Sequence, residues 1–131
     1  MKRIFCGLLL AATIAAGAGT AQAHHSLSAY DITKTVELNG TVKRFEWGAP
    51  HCWLIVDVTN GDGTSTEWAL EAGTPVVNTQ FGWKRDSFKP GDKVTVTAFP
   101  AHEGTGHGAL MRVVLPDGRT LDGPLATYLK K

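Results

Sequence analysis

Between residues 35 and 121 the chain consists of short runs in which apolar and polar residues alternate, separated by turn residues. This two-residue period narrows the possible folds more than any other feature. Val36, Leu38, Gly40 and Val42 alternate, and then the apolar phase slips by one to Phe45 and Trp47. A β-bulge near Lys43 and Arg44 would cause such a slip and bend the first strand. A second strand is expected over residues 51–59, with Cys52, Leu54, Val56 and Val58 facing the core and His51, Trp53, Ile55 and Asp57 facing away. Asn60-Gly61-Asp62-Gly63 turns the chain into a third strand over 64–71, in which Trp68 and Leu70 face one way and Glu67, Ala69 and Glu71 the other. Thr74 followed by Pro75 reads as an N-cap with proline at the first helical position, and Gly82 suits the stop of a helix of about two turns.

Lys89-Pro90-Gly91-Asp92 leads into a fourth strand over 93–99. A glycine-rich loop over 101–108 precedes a fifth over 109–115, and Pro116-Asp117-Gly118 closes a terminal hairpin onto 119–121. The tail after Gly123 is expected to be a solvated end. The fold class is therefore all-β with one short helix. Three strands, a helix and two further strands is the element order of an OB-like five-stranded barrel, whose first strand must bend to take part in both sides of the closure. A small β-sandwich is the alternative, although it has no need of a helix at that point.

The start of the chain has the three parts of an export signal. Lys2 and Arg3 are basic, residues 4–16 are apolar and uncharged, and Ala21-Gln22-Ala23 has the small-x-small form of a cleavage site. Gly17, Gly19 and Thr20 interrupt the apolar run short of the roughly 20 residues a membrane span needs. Residues 1–23 are accordingly expected to be a signal peptide, residues 24–131 a single domain, and the location periplasmic or secreted, with no membrane span after processing. The mature part would hold 11 basic and 12 acidic residues, a balance that offers nothing to nucleic acid. Cys52 would be its only cysteine, which rules out an internal disulfide, and its place on the apolar phase marks it as core.

All five histidines fall in the mature part: His24, His25, His51, His102 and His107. After cleavage at Ala23, His24 would carry a free α-amine beside its imidazole, and those two nitrogens can close a chelate ring on one metal ion. A further imidazole from His25, His51 or His107 would complete the nitrogen-rich, roughly planar set that Cu(II) prefers; zinc is less well served. His51 follows Pro50, which gives the imidazole a defined entry, and shares a face with Trp53. Glu71 is expected on the same side of the sheet, as a carboxylate ligand or as an acid near His51. His102 and His107 lie in a loop too rich in glycine to hold a site unaided. Trp47 and Trp53, with Glu71, are candidates for contact with a small ligand, while Trp68 and Trp83 read as core. No catalytic motif is complete: Ser26 beside His25 lacks an orienting group, and no Cys-x-x-Cys, His-Glu-x-x-His or phosphate loop occurs.

Ala23-His24-His25-Ser26, Asp31, Leu38-Asn39-Gly40-Thr41-Val42, Trp47 with Pro50-His51 and Trp53, Trp68 with Leu70-Glu71, Gly82-Trp83 and Lys89-Pro90-Gly91-Asp92 together resemble a bacterial family of exported proteins, domain of unknown function 6152. The resemblance implies an exported OB-like barrel and supplies no activity, substrate or cofactor. This chain departs from that family's pattern in having Ala49 where an asparagine is usual and Leu27 where a phenylalanine is usual. The expected function is a small periplasmic binding protein that coordinates copper as Cu(II) through the mature N-terminal histidine. The alternative is a metal-independent module that binds a small molecule or a periplasmic protein partner. A more distant one is an enzyme using His51 and Glu71.

Overall fold

The computed structural model describes residues 25–130, so the expected signal peptide and His24 lie outside the described residues. A four-residue helix α1 (His25–Ser28) leads into six strands: β1 (Val36–Glu46), β2 (Trp53–Thr59), β3 (Ser65–Glu71), β4 (Lys93–Pro100), β5 (His107–Val114) and β6 (Thr120–Asp122). Helix α2 (Pro75–Gln80) joins β3 to β4, and a 3-10 helix (Pro124–Lys130) follows β6.

The strands lie in the order β3-β2-β1-β4-β5-β6, and an additional parallel pairing of β3 with β5 closes the first five into a barrel. This is the expected OB-like architecture. β1 pairs through its first half with β4 and through its second half with β2, and the register against β2 shifts between Val42 and Arg44, where the phase slip placed a bulge. Closure consists of Ala69, Leu70 and Glu71 running parallel to His107, Gly108 and Ala109. Gly108 is required there, because a Cβ would stand 2.9 Å from the Phe99 carbonyl oxygen. The Thr74 side chain accepts from the Val77 amide to cap α2, with Pro75 in the first turn and Gly82 beyond the end at φ 84°.

The barrel interior is filled by the predicted inward positions, among them Leu38, Val42, Leu54, Val56, Leu70, Val96 and Leu110. Cys52 is among them, fully buried as a free thiol. Ile55 departs from the expected alternation: it stands beside Arg44 and Ala69 in register and is also buried.

A second cluster lies apart from the first, formed by Tyr30, Phe99, Ala109 and Met111. Phe99, Ala109 and Met111 alternate with Ala98 and Leu110 of the interior, so β4 and β5 are buried on both faces here. Leu125 and Leu129 of the 3-10 helix pack against this cluster, and Ala126 is buried. The tail is therefore not a solvated end. Each large apolar side chain of β5 it helps remove from water contributes roughly 1.5–3 kcal/mol, a sufficient reason for the tail to fold back.

Candidate functional site

Strand register brings His51 and Glu71 together. His51 follows the cis Ala49-Pro50 peptide and lies just before β2, while Glu71 is the last residue of β3, opposite Trp53. The backbone on either side is tied as well, since the Cys52 amide donates to the Gly73 carbonyl and the Ala72 amide to the Cys52 carbonyl. In this frame His51 Nδ1 lies 2.9 Å from Glu71 Oε1, with the imidazole 30% exposed and the carboxylate 11%.

A third residue joins them that sequence reasoning passed over. The Tyr30 hydroxyl donates to Glu71 Oε2 at 2.6 Å across 41 residues of chain. Tyr30 is buried, and its segment is held by a β-bridge to Ala101, by the Asp31 amide donating to Pro100 and by the His102 amide donating to Ala29. Burial first, and then the hydrogen bond and charge of Glu71, push the phenol well above its ordinary range, so it stays protonated and remains a donor. The one clue in the sequence was that Tyr30 is the sole Phe, Tyr or Trp in residues 24–34.

His51 and Glu71 open onto a small chamber of about 230 Å³, whose other walls include Leu27 of the N-terminal segment, Val77 of α2, Leu110 of β5 and Leu125 of the 3-10 helix. Gly73 also lines it. A Cβ there would meet Asn78 Oδ1 at 2.6 Å and Pro124 and Val77 at 3.3 Å, so the chamber wall requires glycine.

The remaining candidates lie elsewhere. His107 opens β5 and lines a different hollow, with Tyr30, Ala101, His102 and Glu103. Trp53 is part-buried opposite Glu71. Trp47 packs instead on the main core, its ring edge-on to Phe45 at 5.8 Å, and none of the four tryptophans is among the exposed large apolar residues. His25 heads α1, and His24 precedes the described residues. Among the described residues, no three His, Cys, Asp or Glu side chains are grouped to hold a metal.

The sequence of this barrel matches the Family of unknown function (DUF6152) over residues 11–111. The chain belongs to that family. The DUF6152 match takes in Tyr30, His51, Glu71 and His107 and stops before the 3-10 helix. No curated protein and no solved structure matches the chain. Among the described residues, no helix of this DUF6152 member is long and apolar enough to cross a membrane.

Proposed function

We propose that the chain is an exported binding protein, processed after Ala23, that coordinates Cu(II) through the amine and imidazole of His24 together with the imidazole of His51. The observation that carries this reading is that Leu27 and His51 line the same chamber. His24 lies three residues before Leu27 in sequence, so the processed chain would begin close to this wall of the chamber. His51 is partly exposed and has a carboxylate beside one nitrogen, the setting common to metal-binding imidazoles. Amine and imidazole both compete with protons, at reference pKa values of roughly 7.7 and 6.5, so affinity should fall as the solution is acidified.

The test is to purify the exported protein, read its N-terminus by mass spectrometry and titrate Cu(II) into wild type, His24→Ala and His51→Ala. Both variants should bind at least tenfold more weakly. Equal, weak affinity in all three proteins would end the copper reading. A second reading, a metal-independent small-molecule site, is favoured by the apolar walls contributed by Leu27, Val77, Leu110 and Leu125. It predicts ligand-dependent Trp53 fluorescence in metal-free protein, and silence across a broad panel of small apolar compounds would count against it.

A further inference from the structure

We propose that Tyr30 and Glu71 are positioning residues that lock His51 in the tautomer protonated at Nδ1, leaving Nε2 as the nitrogen available to a ligand. The argument starts from the pair of contacts on one carboxylate. Glu71 Oε2 accepts from the Tyr30 hydroxyl at 2.6 Å, and Glu71 Oε1 stands 2.9 Å from His51 Nδ1. A neutral imidazole carries its proton on one nitrogen only. Were Nδ1 the bare nitrogen, its lone pair would face a carboxylate oxygen at hydrogen-bond distance, and two acceptors would repel. With the proton on Nδ1 the same contact is a charge-assisted hydrogen bond.

Tyr30 makes the arrangement one-way. A buried phenol beside a carboxylate is a donor, so it draws Oε2 toward itself and holds the plane of the carboxylate while Oε1 receives His51. With one oxygen facing each neighbour, Glu71 serves in this arrangement as the holder of the imidazole. Because Tyr30 is anchored through Ala101 and Pro100, the docking of the N-terminal segment and the orientation of His51 are set by a single chain of hydrogen bonds.

The tautomer itself does not depend on any metal; only the consequence for affinity rests on the copper reading. Long-range proton–nitrogen NMR on metal-free protein at about pH 8, where an ordinary imidazole is neutral, reads the tautomer directly. The wild type should show a protonated Nδ1 and a bare Nε2. Glu71→Gln should shift His51 toward the Nε2-protonated form that isolated histidine favours in water, and Tyr30→Phe should do so to a smaller degree, with amide spectra confirming the fold of each. Cu(II) affinity should fall about 10- to 100-fold in Glu71→Gln, the usual cost of losing an outer partner of a ligating histidine. A wild-type His51 protonated at Nε2, or a Glu71→Gln protein that keeps the wild-type tautomer, would overturn the proposal. The predicted tautomer in a protein that fails to bind Cu(II) would uphold the positioning role and sink the metal reading. Should a variant not fold, the wild-type tautomer still decides.

Discussion

Two clusters of aromatic and polar side chains serve this barrel in opposite ways. Around Trp83, rings interlock: Phe88 stands edge-on at 5.1 Å, Phe45 lies tilted at 6.0 Å, and the indole N–H donates to the Asp122 carbonyl at 2.7 Å. Nothing polar is left to face a ligand there, since Trp83 is 1% exposed and its one donor is used. Around Glu71 the arrangement is the reverse: Tyr30 is buried, Glu71 is nearly so, and His51 remains open to solvent beside a chamber. The first cluster uses its polar group for the fold, whereas the second leaves part of an imidazole exposed.

The contrast can be broken most forcefully at Trp83. Trp83→Ala should destabilise the protein by about 3–5 kcal/mol in denaturant melts, the range for removing a large buried ring. A loss below about 1 kcal/mol would mean that the cluster is not a structural anchor. Gly73→Ala should cost about 1–3 kcal/mol by overpacking against Asn78, Pro124 and Val77, and it should also perturb the His51 resonances, because the residue bounds the same chamber. His51→Ala should cost about 1.5 kcal/mol, the low end for a hydrogen bond to a charged group because the imidazole is partly exposed and the carboxylate keeps Tyr30, while in the copper reading it removes most Cu(II) affinity. A large stability loss in this variant would place His51 with the core instead.

The smallest effect should be local and set by pH. Thr33 and then Lys34 hold the Asp31 carboxyl down at about 2, next to Tyr30 in sequence. Because the folded value lies below the ordinary value near 3.9, its contribution is complete above about pH 4 and is lost as pH falls toward 2. Amide exchange at Thr33 and Lys34 should therefore quicken relative to the barrel strands over that interval. Exchange that stays in step with the strands would show that the turn at Asp31 has no independent hold on the lead-in.

How much could be read in advance follows the range of the interactions. Bulge, turns, cap and inward faces are local signals, and Lys43, Thr74 with Pro75, and the alternation from Cys52 to Val58 carried them. The meeting of His51 with Glu71 was within reach because antiparallel register across one turn is nearly fixed once the strands are recognised. Tyr30 was not, since its place depends on pairing with Ala101, far along the chain. The folded tail did leave a trace: Ala109-Leu110-Met111 is a continuous apolar run, the mark of a strand buried on both sides, and something had to cover its outer face. Phase alone sets Trp47, on the slipped apolar side with Phe45, apart from Trp53 on the outward side, in line with the packing of Trp47 on the main core.

The parallel seam between β3 and β5 bears on when these three side chains can act. Glu71 is braced there by Ala109, and Tyr30 by Ala101, so both braces belong to the last third of the sequence. Synthesis proceeds from the N-terminus, and distant pairings of this kind are slow to form. A truncated molecule lacking these strands would thus leave Glu71 and Tyr30 without their braces, and the hydrogen-bonded chain from Tyr30 through Glu71 to His51 would form only once the last third of the sequence is in place.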